Sequence, residues 1–132
     1  MITIFIDGAS RGNPGRASCA YVIYKNGKII EEKSIFLGVV TNNQAEYWGL
    51  IFALERSVAI NETSIKLFSD SELLVKQLQG FYQVKSENLK PLFSKFIVLR
   101  QKIESFEIMH IPREKNSRAD LLCNQELNRS FS

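Results

Sequence analysis

Apolar residues occupy both faces of the first run of the chain, Ile2-Thr3-Ile4-Phe5-Ile6, which stops at Asp7. A strand that is apolar on both sides belongs inside a sheet, not at its rim. Glycines and a proline then predict a loop over 8–15. Two strand-like runs follow, 17–25 and 28–37, separated by Asn26-Gly27. That dipeptide is the strongest short hairpin signal, because both central residues of the favoured turn need φ > 0. The first three strands are therefore expected to form an antiparallel meander.

After Thr41-Asn42-Asn43 the apolar spacing becomes helical, with Ala45, Trp48, Leu50, Ile51, Ala53 and Leu54 on one broad face. Ile65, Leu67 and Phe68 predict a short fourth strand ending at Ser69-Asp70. Leu73, Leu74 and Leu78 mark a short helix with Gly80 in position to stop it. From Ser86 to about Glu104, Leu89, Leu92, Phe93, Phe96, Ile97, Leu99 and Ile103 recur at helical spacing, and Pro91 fits within the first turn. Phe106 to Ile111 is read as a fifth strand, and Asn116 to about Asn128 as a last helix. The order predicts an α/β fold, a five-stranded mixed sheet with three antiparallel strands followed by two parallel ones and helices on both faces. One domain is expected over 1–128, with residues 129–132 frayed.

Composition narrows the class without naming it. At 132 residues, 45% hydrophobic and 23% charged, the chain is of ordinary globular character. No secretory signal and no apolar run of bilayer length is present, so a cytoplasmic location is expected. Cys19 and Cys123 show no paired spacing and lie among apolar neighbours, as buried reduced thiols do. With a single histidine besides, they exclude a structural zinc site. The net charge of +3 is compatible with a polyanionic partner and does not require one.

Four carboxylates stand in distinctive contexts: Asp7 opening DGASRGNPG, Glu46 in TNNQAEY, Asp70 in KLFSDSELL and Asp120 ending PREKNSRAD. Ligand sites in such sheets lie beyond the carboxyl ends of parallel strands, which is where Asp7 and Asp70 fall if their strands are neighbours. Asp70 is equally placed to cap the helix that starts at Ser71. Asn43-Gln44-Ala45-Glu46 also matches a capping box, with the glutamate turned back to the cap, and Asp120 is equally well a solvated helix residue. For Asp7 and Asp70 together, each closing an apolar strand, the site is the reading taken; for Glu46 and Asp120 spacing does not decide. If the four do meet, two carboxylates about 4 Å apart repel by roughly 4 kcal/mol at an effective dielectric near 20. An all-oxygen cluster of that kind suits Mg²⁺ or Mn²⁺.

Taken in order, the segments resemble type I ribonuclease H over nearly the whole chain. The resemblance rests on Asp7-Gly8-Ala9-Ser10-Arg11-Gly12-Asn13-Pro14-Gly15, on Thr41-Asn42-Asn43-Gln44-Ala45-Glu46, on Asp70-Ser71, and on Asn116 four residues before Asp120. It implies that Asp7, Glu46, Asp70 and Asp120 are catalytic metal ligands for two Mg²⁺ or Mn²⁺ ions per site. It further implies hydrolysis of the RNA strand of an RNA/DNA hybrid to 5′-phosphate and 3′-hydroxyl ends by a two-metal-ion mechanism. Gly8, Ala9, Ser10, Asn13, Asn42, Asn43 and Ser71 match positions near the hybrid, and Thr41 one that holds a DNA phosphate. Turn chemistry for Asn13 and helix capping for Thr41 and Asn43 explain those residues equally well.

Three features depart from the larger members of that family. Glu72 stands where many have glutamine, adding negative charge near phosphate. Phe81 to Lys90 runs directly into the long helix where larger members insert a basic one, which marks a short subtype; Lys76, Lys85, Lys90 and Lys95 are candidate backbone contacts, with ordinary solvated lysines the commoner explanation. Before the last helix, Pro112-Arg113-Glu114-Lys115-Asn116 resembles the short subtype's Pro-Arg-x-x-Asn, which implies Arg113 as the loop cation ahead of His110, itself equally read as a structural strand-end histidine. The expected function is thus a metal-dependent endonuclease acting as a monomer on RNA/DNA hybrids. Its rivals are an inactive hybrid- or RNA-binding module on the same fold and a related nuclease acting on another duplex.

Overall fold

The computed structural model describes residues 1–130. In chain order these form β1 (Ile2–Gly12), β2 (Gly15–Lys25), β3 (Lys28–Val40), α1 (Asn42–Ala59), β4 (Ser64–Ser69), α2 (Glu72–Leu78), α3 (Lys90–Arg100), β5 (Ser105–His110), a 3₁₀ turn (Arg113–Lys115) and α4 (Ser117–Ser130). One sheet has the order β3-β2-β1-β4-β5. β1 to β3 are antiparallel, while β4 runs parallel to both β1 and β5. The expected architecture is therefore the one observed, and β1 is its central strand. Asn26 (φ 53°) and Gly27 (φ 78°) form the predicted turn.

Helices cover both faces. On one, Ile2, Ile4 and Ile6 join Leu50, Ile51 and Leu54 of α1 and Leu92 and Phe96 of α3 in the main core. Alternation along β2 separates the two faces. Cys19 faces Gly49 of α1, while the hydroxyl of its neighbour Ser18 donates to the Cys123 carbonyl of α4 at 2.7 Å. α4 buries Ala119, Cys123 and Leu127, spaced four apart, against the opposite side of the sheet. Both cysteines are buried and free.

Several boundaries differ from expectation. Residues 8–12 are strand, not loop: pairing with β2 continues to Gly12 opposite Gly15, which leaves only Asn13-Pro14 to turn. β3 likewise runs on to Val40, past an irregularity where Gly38 has φ 77°. α3 starts at Lys90, not Ser86; Pro91 lacks an amide hydrogen and sits in the first turn. Ile97, expected inside, is 41% exposed. α4 extends further than expected, with Arg129 and Ser130 bonded to Glu126; residues 131 and 132 lie outside the described residues.

The capping box of α1 lies elsewhere than Asn43–Glu46. Thr41 Oγ1 accepts from the Gln44 amide at 3.1 Å, and Gln44 Oε1 accepts from the Thr41 amide at 2.8 Å. Glu46 is thereby released from the cap. Thr41→Ala is expected to destabilise the protein by about 1 kcal/mol, measured as a lower urea midpoint with an unchanged slope.

Candidate active site

The parallel pairing of β1 with β4 places two carboxylates level. Ile2 is opposite Ile65 and Phe5 opposite Phe68, and the same register carried on sets Asp7 beside Asp70. Asp70 does not cap α2. Ser71 does, its hydroxyl accepting from the Leu74 amide at 3.2 Å.

Glu46 arrives because β1 and α1 cross with nothing between them. A Cβ built on Gly8 would lie 2.3 Å from the Ala45 carbonyl carbon and 2.4 Å from the Glu46 nitrogen. Only a glycine permits that approach. At Gly49 a Cβ would stand 3.0 Å from the Asp7 carbonyl oxygen, so small residues close the crossing from both elements.

Asp7, Glu46 and Asp70 each offer an oxygen within 4.8 Å of the others. Asp120, on the first turn of α4, stands outside that trio but comes within hydrogen-bonding reach of Asp7. Asp7 is 4% and Glu46 5% exposed, whereas Asp70 and Asp120 are half-buried. The cluster is thus deep at one end and open at the other. Burial first, then the nearby charges of Asp70 and Asp120, push the Asp7 carboxyl up to about 8. Burial also raises Glu46, reinforced by Asp7, Asp70 and Asp120 and partly offset by the Gly8 amide. Glu46 Oε2 is buried without a hydrogen-bond partner. A buried, unpartnered acceptor among like charges is what a cation would satisfy, and the donors are all oxygen, the choice of Mg²⁺ and Mn²⁺.

An open cleft of about 250 Å³ is lined by Asp7, Gly8, Ala9, Asn42, Glu46, Asp70, Ser71, Arg113 and Asp120. Ser10 and Asn13 do not line it but support it. The Ser10 amide donates to Asn42 Oδ1 at 3.3 Å, and Asn13 Oδ1 accepts from the Asn42 amide at 3.1 Å. Thr41 is occupied as the helix cap. Asn43 is exposed on the first turn of α1, and Glu72 is exposed at the start of α2; neither is part of the lining. His110 ends β5, paired with Ser69 and exposed, away from the lining. Arg113 does reach the mouth, its Nη2 3.8 Å from Asp120 Oδ1, with 80% of its side chain exposed. A pair so exposed adds little stability and leaves the guanidinium free to move.

Asn116 was legible in the sequence only as a spacing to Asp120. It is 1% exposed. Its Nδ2 donates to the Ile6 carbonyl at 2.8 Å and to Asp70 Oδ2 at 3.2 Å, and its backbone carbonyl accepts from the Asp120 amide at 3.1 Å. One buried residue therefore ties the end of β1 to the Asp70 carboxylate through its side chain and holds the start of α4 through its backbone carbonyl. No local pattern in the sequence announces that role.

A family model described as Reverse transcriptase-like matches residues 5–126. Ribonuclease HI of Halobacterium salinarum is 40% identical over 124 residues, covering 93% of this chain and 62% of that protein. A bifunctional protein of Mycobacterium tuberculosis is 34% identical, covering 96% of this chain and 35% of its own length. The chain thus spans less than two thirds of these curated relatives. Among solved structures, LC11-RNase H1 in complex with an RNA/DNA hybrid superposes with a TM-score of 0.96 at 39% identity, each chain fully covered.

Burial of Asp7, reinforced by repulsion from Asp70 and Asp120, fixes the sign of a pH effect. In the unfolded chain Asp7 returns to an ordinary carboxyl value of 3.8, against about 8 when folded. Its proton therefore stabilises the fold at acid pH, and that contribution is lost as pH rises from about 4 to 8. In EDTA, urea denaturation is expected to give lower stability at pH 8 than at pH 5. Asp7→Asn is expected to flatten this dependence and to exceed the parent at pH 8 by at least about 1 kcal/mol. Millimolar Mg²⁺ or Mn²⁺ is expected to restore the parent and to leave the variant largely unaffected.

Proposed function

The chain belongs to the ribonuclease H family, and from that premise we propose that it is a metal-dependent endoribonuclease that hydrolyses the RNA strand of RNA/DNA hybrids. The observation that carries this reading is the cluster of Asp7, Glu46 and Asp70 within 4.8 Å, open to solvent on the side where Asp120 and Arg113 stand. A pure binding module would gain nothing from like charges packed where phosphate must approach.

Asp7, Glu46, Asp70 and Asp120 would hold two divalent cations, Mg²⁺ or Mn²⁺, when substrate is bound. Bound there, the cations supply charge neutralisation and Lewis-acid activation at the scissile phosphate. The deep pair, Asp7 and Glu46, anchors the cluster; Asp70 and Asp120, nearer the mouth, face the substrate. Water adds to phosphorus as the bond to the 3′-oxygen breaks, which leaves a 5′-phosphate and a 3′-hydroxyl. Arg113 offers a mobile positive charge toward the departing phosphate. His110 is the weaker choice, because it is committed to the end of β5.

RNA is distinguished from DNA by its 2′-hydroxyl, which both donates and accepts. Backbone groups at Gly8 and Ala9, with the side chains of Asn42 and Ser71, line the cleft beside the acids and suit that reading. Ser10 and Asn13 act by fixing Asn42. Thr41, Asn43 and Glu72 would meet the hybrid only outside the acidic cleft. The short link from α2 to α3 supplies the remaining grip: a larger groove is lined by Tyr82, Lys85 and Lys90 among others. No helix among the described residues is long and apolar enough to cross a membrane. Buried free thiols fit a cytoplasmic setting, and a monomer is sufficient for every group named here.

Incubated with a labelled hybrid and millimolar Mn²⁺ or Mg²⁺, the protein is expected to cut the RNA strand only, leaving RNA duplex and DNA duplex intact. Binding of hybrid without cleavage in either metal would replace the enzyme reading by that of a binding module. Asp70→Asn is expected to lower kcat at least about 100-fold with circular dichroism unchanged; an active variant would remove Asp70 from the machinery. Asn116→Ala, which frees Asp70, is expected to weaken Mn²⁺ binding about tenfold or more by calorimetry, as loss of a ligand-orienting partner does.

A further inference from the structure

Helix α1 carries, one residue beyond Glu46, a buried group that the reaction does not use. Tyr47 is 1% exposed, and its hydroxyl donates to Gln77 Oε1 at 2.6 Å. Gln77 itself is 6% exposed on α2, and its amide nitrogen donates to the Gln83 carbonyl at 3.5 Å. The donors run in one direction, from the helix of Glu46, through α2, to the link that follows it. Gln77 and Gln83 are both walls of the groove of about 750 Å³ that also holds Tyr82, Lys85 and Lys90. At 1.5 Å per residue, α2 sets that groove about 10 Å from Ser71 at the mouth of the acidic cleft.

The geometry points to Tyr47 and Gln77 as positioning residues for substrate. They couple the helix that bears Glu46 to the groove wall, so that a strand held on Lys85 and Lys90 is presented in register with the acidic cluster. This inference rests on the proposed hybrid nuclease activity. The link needs such a fastening: residues 79–89 contain no helix or strand, and Phe81 and Tyr82 are 71% and 48% exposed. The Phe81 and Tyr82 amides donate to the Lys76 carbonyl, Val84 and Leu89 pack on the core, and Gln77 holds Gln83 between these two anchors. A buried polar pair contributes stability only while both partners are satisfied, so loss of the Tyr47 hydroxyl strands Gln77 Oε1 in the core. The low-cost escape is for Gln77 to turn, and its turning releases Gln83.

Tyr47→Phe deletes that single oxygen, and Ser57→Ala is the matched control. Ser57 is a buried hydroxyl of the same helix, bonded only to the Ala53 carbonyl at 2.8 Å. By hydrogen exchange without substrate, amides of 81–88 are expected to exchange faster in Tyr47→Phe and not in Ser57→Ala. In hybrid cleavage with Mn²⁺, KM is expected to rise about fivefold with kcat within twofold of the parent, the scale of one net hydrogen bond. In a Lys85→Ala/Lys90→Ala background the same substitution is expected to have no further effect on KM. Unchanged exchange at 81–88, an unchanged KM, or equal effects in both backgrounds would each overturn the coupling. A parent protein that fails to cleave any hybrid would instead remove the nuclease reading, and the exchange arm would still test the fastening.

Discussion

Contact between two backbones at Gly8 is the constraint on which the rest of the structure depends. Strand β1 passes so close to α1 that no side chain fits between them. The crossing drives the carboxylates of Asp7 and Glu46 into one buried space. Most folds avoid such a juxtaposition, because burial and mutual repulsion both penalise the charged forms. Here the surrounding sheet and helices overrule it. A core built from Ile4, Ile6, Leu50, Ile51 and Leu54 supplies enough apolar burial to hold like charges together.

That repulsion defines the chemistry of the cleft. An acidic cluster with an unpartnered oxygen at its floor and open water at its mouth is electrostatically incomplete. In the function proposed above, divalent cations would complete it, and a phosphodiester brought there would meet the charge compensation that hydrolysis requires. On that proposal, stability and function are opposed at these positions, as is common where side chains are held in costly arrangements for reaction. Asn116 limits the damage by fixing Asp70 from behind with a neutral donor. The Tyr47–Gln77 hydrogen bond joins the helix of Glu46 to α2, and Gln77 in turn contacts the link that follows it.

Some parts of the molecule were legible residue by residue. Asn26-Gly27 announced its hairpin because a type I′ turn tolerates few other pairs. Asp7 and Asp70 were readable as site residues because each follows an apolar run, and parallel strand ends are where ligands bind. Glu46 and Asp120 were not; local rules explained both adequately, and only the resemblance of four segments in order set them beside the others. The capping box was assigned two residues too late because Asn43 and Glu46 satisfy the same pattern as Thr41 and Gln44. Once Gln44 takes the cap, Glu46 is left pointing at Gly8. Of the two loop candidates, Arg113 on the 3₁₀ turn lines the cleft, whereas His110 ends β5 outside its lining.

By itself the sequence determined the elements, the meander, the central place of β1 and the chemical type of the site, because periodicity, turn preference and strand-end position all act over a few residues. Tertiary structure alone decided how deep each acid lies, that three of them share one small space while Asp120 stands at the mouth, and that Asn116 braces Asp70. The physical reason is range. Helical and strand propensities are local, whereas the field at Asp7 depends on residues 70 and 120 and that at Glu46 on residues 7, 70 and 120, which only the packing of α1, β4 and α4 around one strand end brings within reach.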